Sequence, residues 1–184
     1  MTPATKRILK LTAIGVASFA AVAAVVWYFG WRPVRYVDLA RKFTMTFSPE
    51  WELRGEGEGA VIRAVYAKGP HGGGPVGVIS VTVNEIRDIP DSAAFRSWWT
   101  GFTSKNLEGF AKTGEGTRRI GDLDAPWILS THLEGPDKVR VQTWLFFFVR
   151  GLRGYVISCL AKPDAFESFR PDFEAAVDTF QLLD

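Results

Sequence analysis

Histidine and cysteine are the residues that most often carry catalysis or bind transition metals, and this chain has few of them. Its two histidines are His71, within a glycine-rich segment, and His132, within an apolar strand-like segment. Neither has a cysteine or a second histidine at the spacing of a zinc site. The sequence contains no Gly-x-Ser-x-Gly motif, which would indicate a serine nucleophile for His132 to activate. The sequence therefore predicts neither a catalytic residue nor a metal centre.

Three further features have both a chemical and a structural interpretation. The single cysteine, Cys159, excludes an intramolecular disulfide, and its apolar surroundings favour a small buried side chain over a reactive thiol. The glycine run at 72–74 lacks the Lys-Ser/Thr of a phosphate loop, so it predicts a hairpin connection. Four acidic residues could bind a hard cation, although a solvated loop is the favoured interpretation: Glu50, Glu52, Glu56 and Glu58. We expect no cofactor, and an enzyme of unrecognised type remains the minor alternative.

The elements that position these residues begin with an apolar segment near the N-terminus. Leu11 to Trp31 are 21 residues without a formal charge. A helix of that length spans about 31 Å, close to the ~30 Å hydrocarbon core of a bilayer. Trp27, Tyr28 and Trp31 would form an aromatic belt at its far end. We predict an N-terminal tail and a single transmembrane helix over residues 1–31.

The alternative for this segment is a cleaved signal peptide, since a basic stretch precedes it and Ala21-Val22-Ala23 resembles a cleavage site. The apolar run continues past that site, which favours an uncleaved anchor. Basic residues flank both ends of the run, so their count does not decide the orientation. The signal-like N-terminus favours an inner-membrane protein whose C-terminal domain lies on the periplasmic side.

Small residues recur at four-residue spacing along the predicted span, as in the row that contains Ala17 and Ala21. Such rows let a second transmembrane helix approach closely, because packing rather than hydrophobicity drives association in lipid. The alternative is that alanine is simply common in this sequence. Ala17, Ala21, Trp27 and Trp31 are therefore candidate contacts to a membrane partner and the lipid bilayer.

The charge of the remaining chain excludes one class of partner. Lys6, Arg7 and Lys10 precede the apolar run, and without them the chain has 19 basic residues against 20 acidic ones. A nearly neutral domain lacks the basic surface of a nucleic-acid-binding protein. We expect no nucleic-acid partner.

The residues after the span predict a short charged connector over 32–42 and one α+β domain over 43–184. Phe43–Phe47 alternates apolar and polar residues, which is typical of a half-buried strand. Further strands, a helix from Asp91 to about Gly109, a three-stranded meander over residues 127–161 and a final helix with a capping box at Asp164 follow. Both faces of the strand near Phe147 are apolar, so we expect an antiparallel sheet sandwiched between helices.

The segment from Phe43 to Trp51, Phe-x-Met-x-Phe-Ser-Pro-Glu-Trp, and the order of elements after it resemble the PsbP-like family. That family includes the extrinsic subunit of photosystem II and bacterial membrane-associated relatives. The resemblance covers about Phe43 to Phe180 and implies an α-β-α sandwich that serves as an accessory subunit. A transmembrane helix without a lipobox cysteine departs from the usual pattern, so no metal or cofactor residues are carried over.

Two adjacent tryptophans on the predicted helix, Trp98 and Trp99, point about 100° apart, so one sheet cannot easily bury both. The exposed one is a candidate partner contact, since tryptophan is enriched in interface hot spots. Partial burial against a loop is the alternative.

We expect a non-catalytic, membrane-anchored accessory subunit of a larger membrane complex, photosynthetic or respiratory. The alternative function is a tethered module that binds a small ligand or lipid between sheet and helix.

Overall fold

The computed structural model describes residues 32–55, 60–66 and 77–184. Ten strands and two helices follow one another in those residues: β1 (Val34–Asp38), β2 (Phe43–Phe47), β3 (Trp51–Arg54), β4 (Ile62–Tyr66), β5 (Gly77–Glu85), α1 (Ser92–Asn106), β6 (Ala111–Ile120), β7 (Leu123–Glu134), β8 (Val139–Arg150), β9 (Arg153–Ala161), α2 (Pro163–Val177) and β10 (Gln181–Leu182).

Seven of the strands form one antiparallel sheet in the order β3-β4-β5-β9-β8-β7-β6. Its centre is the predicted meander of β7, β8 and β9, which is present with slightly longer strands than expected. Tight turns set the register, so that Phe147 of β8 lies opposite Val156 of β9. The sheet is therefore built from neighbours in sequence, apart from the pairing of β5 with β9.

Apolar side chains cover both faces of the central strands, as the sequence predicts for β8. On one face, Phe95 of α1 packs with Leu145, Phe147 and Val156. On the other face, a larger core contains aromatic residues from β2, β8 and α2, among them Phe43, Phe146 and Phe173. The fold is a mostly-sheet α+β fold in which helices lie on both sides of the large sheet.

A second sheet of three strands, in the order β1-β2-β10, was not expected. Strand β1 lies inside the segment expected to be a connector, and it pairs along its whole length with β2. Strand β10 has only two residues and closes the other side of β2. Thr46 joins this sheet to the end of α2, since its N–H donates to Oγ1 of Thr179 at 2.8 Å.

The last helix differs from expectation at its start. It begins at Pro163, with Lys162 at the N-cap and no side-chain capping hydrogen bond, so the capping box predicted at Asp164 is wrong. Proline at the first helical position needs no hydrogen-bond acceptor, which explains the earlier start. Pro171 lies inside the helix, which continues through it to Val177.

The predicted membrane span lies outside the described residues, together with Ala17, Ala21, Trp27 and Trp31. Among the residues that the structure does describe, no helix is both long enough and apolar enough to cross a bilayer.

Candidate functional site

Helix α1 is held on the sheet by one deeply inserted ring. Asp91 caps the helix, because its carboxylate accepts the N–H of Ala94 at 2.8 Å. Phe95, one turn further on, is fully buried and meets Phe147 edge-to-face at 5.9 Å between ring centroids. Gly154 of β9 leaves the space for it, since a Cβ there would lie 2.6 Å from Cζ of Phe95. This contact fixes which sides of α1 face solvent.

Trp98 and Trp99 diverge as their spacing predicts. Trp99 is partly buried and meets both Phe95 and Phe147 with tilted or edge-to-face rings. Trp98 is 49 % exposed and stacks on Phe102, which is 52 % exposed, at 5.9 Å between centroids with planes 11° apart. We call the exposed pair Trp98 and Phe102 the α1 aromatic patch. An i, i+4 pair of this kind stabilises a helix only slightly, so its exposure is not explained by folding alone.

Beside this patch, α1 leaves part of the sheet face uncovered, and a groove of about 300 Å³ lies there. The sheet residues of its floor come from β4, β5, β7, β8 and β9. Aromatic and aliphatic side chains of α1 and the segment after it form its wall: Trp99, Phe102, Leu107 and Phe110. The volume is at the lower end of the range for small-molecule sites.

The floor of the groove is unusually polar for a sheet face that also carries the core. Ser130, Thr143 and His132 line it and are 1 %, 3 % and 8 % exposed. Among the residues that the structure describes, Oγ1 of Thr143 and Nδ1 of His132 are buried without a hydrogen-bond partner. Burial lowers the pKa of His132, opposed by the charge of Glu134, so the imidazole is neutral at pH 7.

The residues with potential for catalysis or metal binding are dispersed. Cys159 is fully buried on the opposite face of the sheet, where desolvation raises the pKa of its thiol. Glu50 accepts a hydrogen bond from the hydroxyl of Tyr66 at 3.1 Å, and Glu52 pairs with Arg54 at 3.3 Å. Over residues 32–55, 60–66 and 77–184, no three His, Cys, Asp or Glu side chains are grouped to hold a metal ion. His71, Glu56, Glu58 and the glycine run at 72–74 lie outside the described residues.

The sequence analysis offered a ligand site between sheet and helix as an alternative, but it did not identify the residues of the groove. Its signal is a break in the polarity pattern: on the α1 face of β7 and β8, small hydroxyl residues follow apolar ones along the strand. Ser130 follows Ile128 on that face, and Thr143 lies between Val141 and Leu145. Such hydroxyl positions predict a site for water or a ligand only when it is known which part of the sheet face α1 covers.

Comparison with known proteins identifies the fold. No protein-family model matches the chain, and no curated protein matches it. Solved structures do match over most of its length. Cyanobacterial PsbP (CyanoP) from Synechocystis superposes with a TM-score of 0.58 at 12 % identity, covering 82 % of this chain and 92 % of that one.

Two other solved structures have the same fold. The yeast Ran-binding protein Mog1p has a TM-score of 0.58 at 13 % identity, with 84 % of this chain and 97 % of that one covered. LpqN, involved in cell envelope biogenesis of Mycobacterium tuberculosis, has a TM-score of 0.56 at 15 % identity, with 84 % and 86 % covered. The resemblance expected from the sequence is confirmed at the level of the fold, and the chain has a PsbP-like fold.

Proposed function

We propose that this protein is a non-catalytic accessory subunit, anchored in the inner membrane by residues 11–31, that docks onto a larger membrane protein complex through the α1 aromatic patch. The observation that carries the proposal is the pair of stacked, half-exposed rings of Trp98 and Phe102. Two adjacent aromatic rings offer a large apolar area at low entropic cost, and tryptophan is enriched in interface hot spots.

The position of the patch suits a docking surface. Phe95 stacks under Trp98 at 6.0 Å between centroids and is itself fully buried in the space that Gly154 leaves. Rings held from beneath lose little freedom when a partner covers them, so less of the binding free energy is lost to ordering. A rigid anchor of this kind is what a hot-spot residue requires.

The charges near α1 support packing rather than long-range attraction as the basis of binding. Arg96 and Lys112 both contact Glu115, at 3.5 and 3.0 Å, and Lys138 contacts Glu108 at 2.8 Å. Each of these cations thus has a carboxylate partner within the domain, which is itself nearly neutral overall. Electrostatic steering of a partner should therefore be weak.

The membrane complex is proposed from the anchor and from the fold. A span that carries the domain would confine it to the membrane surface and raise its effective concentration near a complex there. Among proteins of this fold, Mog1p binds Ran and LpqN is involved in cell envelope biogenesis. The resemblance to the PsbP-like family makes a photosynthetic or respiratory complex the leading subcase for this chain.

The test is co-purification of the full chain from native membranes in mild detergent. Replacing Trp98 with Ala should reduce co-purified partner strongly, because loss of a hot-spot anchor costs about 2 kcal/mol or more, roughly thirtyfold in affinity. Replacing Ala17 and Ala21 with Leu should weaken association separately if the span also packs on the partner.

The matched control is Leu152→Ala, which removes an exposed apolar side chain from the turn between β8 and β9. It should leave co-purification unchanged. If the complex survives the Trp98 and alanine changes but dissociates at raised salt, charge rather than packing holds it and the proposal is wrong.

A further inference from the structure

We propose that the groove between α1 and the large sheet is a binding site for a small, uncharged ring compound that carries a hydrogen-bonding group. The proposal concerns a different surface from the docking patch, although Phe102 borders both. Four properties of the groove carry it: the pairing of its polar residues, their unpartnered atoms, the distribution of charge and the aromatic wall.

The polar residues of the floor are adjacent, not scattered. Ser130 of β7 lies directly opposite Thr143 of β8, and Ser80 of β5 lies directly opposite Ser158 of β9. Side chains opposite each other on neighbouring strands are about 5 Å apart. Leu145 separates the two pairs, since it is opposite Ser158 and two residues along from Thr143. A ligand lying on this floor would meet hydroxyls on either side of an apolar centre.

Two buried polar atoms of the floor residues have no hydrogen-bond partner among the described residues. They are Oγ1 of Thr143 and Nδ1 of His132. A buried polar atom left unpaired is costly, and most such atoms in folded proteins have a partner. Both residues line the groove, so their unpaired atoms lie within the walls of the site. A ligand carbonyl, amide or hydroxyl there would supply the missing hydrogen bond.

The charges of the groove lie at its margins. Arg63 is on β4 and Glu134 is at the end of β7, four strand spacings apart in the sheet, or about 19 Å at ~4.8 Å per spacing. The side chains between them are neutral, including the imidazole of His132. A charged ligand lying over Thr143 and Leu145, between these margins, would have no opposite charge directly beside it, and leaving water there is strongly unfavourable. The floor therefore selects for an uncharged ligand.

The wall of the groove adds the preference for a ring. Trp99, Phe102 and Phe110 present aromatic surface, and Leu107 extends it. Flat rings stack on such side chains in offset or edge-to-face arrangements. A volume of about 300 Å³ accommodates a one-ring or two-ring compound rather than a long acyl chain.

The experiment uses three probes that share one ring: benzamide (uncharged and polar), toluene (uncharged and apolar) and benzoate (anionic). Each is titrated into the full chain in mild detergent while backbone amide signals are followed by NMR. Benzamide should bind with a Kd of roughly 1–10 mM, as expected for a fragment of this size, and shift signals of Thr143, Ser158 and His132. Toluene should bind about fivefold more weakly, and benzoate should give no saturable shifts.

The variant Thr143→Val removes the floor hydroxyl and keeps the branched shape. It should raise the Kd of benzamide about fivefold and change the Kd of toluene by less than twofold. Thr131→Val, on the other face of the same sheet, should change neither Kd. If Thr143→Val does not fold, Ser158→Ala gives the same comparison at a partly buried position. The proposal would be overturned by equal binding of benzamide and toluene, by preferential binding of benzoate, or by shifts confined to other surfaces. Absence of binding at about 50 mM benzamide, fivefold above the expected range, would also overturn it.

Discussion

The contact between Gly154 and Phe95 allows a quantitative test of how α1 is held. A Cβ at position 154 would lie 2.6 Å from Cζ and 2.7 Å from Cε1 of Phe95, about 1 Å closer than carbon atoms normally approach. The ring cannot move outward freely, because Phe95 is fully buried between Phe147 and the neighbouring tryptophans. Gly154→Ala should therefore overpack this site.

Overpacking of a well-packed core typically costs about 1–3 kcal/mol. In a domain of this size, each kcal/mol lowers Tm by about 2–4 °C, so the expected loss is about 2–12 °C. The matched control is Gly101→Ala within α1, where a Cβ would have no neighbour within 4 Å. That change should raise Tm slightly, since alanine is a better helix former than glycine by about 0.5–1 kcal/mol.

Thermal unfolding followed by circular dichroism measures both variants. A second test adds Phe95→Leu, whose shorter side chain lacks the clashing ring atoms; the double variant should lose less stability than the two single changes together. A Gly154→Ala protein that unfolds at the wild-type temperature would refute the claim that Phe95 fixes α1 on the sheet.

The structure makes three further predictions. Burial, and then the charge of Glu50, raise the pKa of Asp172, so its ionised form destabilises the fold at neutral pH. Asp172→Asn should raise Tm at pH 7, and the gain should vanish as pH falls below about 4 in a series of melts. Cys159 should resist iodoacetamide in the native protein and react in denaturant, as mass spectrometry would detect; rapid native labelling would contradict its burial. Residues 32–184 should fold alone into a domain with dispersed NMR signals, and aggregation would contradict the expected domain boundary.

The central architecture was predictable because its signals are local. The meander follows from alternating runs separated by tight turns, and the apolar residues on both faces of β8, such as Phe146 and Phe147, require cover on each side. The divergence of Trp98 and Trp99 follows from helical geometry alone. Each of these features depends on residues within one element or on elements that follow one another along the chain.

The features that were missed have little pattern of their own in the sequence. Strand β1 carries charged residues and is recognisable only beside β2, and the two residues of β10 have no pattern of their own. The groove exists because α1 covers only part of the sheet face, which the sequence of α1 does not determine. Ser80 and Ser158 line the groove only because α1 leaves their part of the sheet face open. On a fully solvated sheet face, the same hydroxyls would need no partner within the chain.

Docking through the α1 aromatic patch is tested most directly by site-specific photo-crosslinking in native membranes. A photoreactive phenylalanine analogue replaces Phe102 in the patch, and in a separate protein it replaces Leu152 in the turn between β8 and β9, where the side chain is also exposed. We predict a discrete cross-linked product with a membrane protein from position 102, abolished by Trp98→Ala, and none from position 152. Equal cross-linking from both positions, or a product from position 152 alone, would contradict the account.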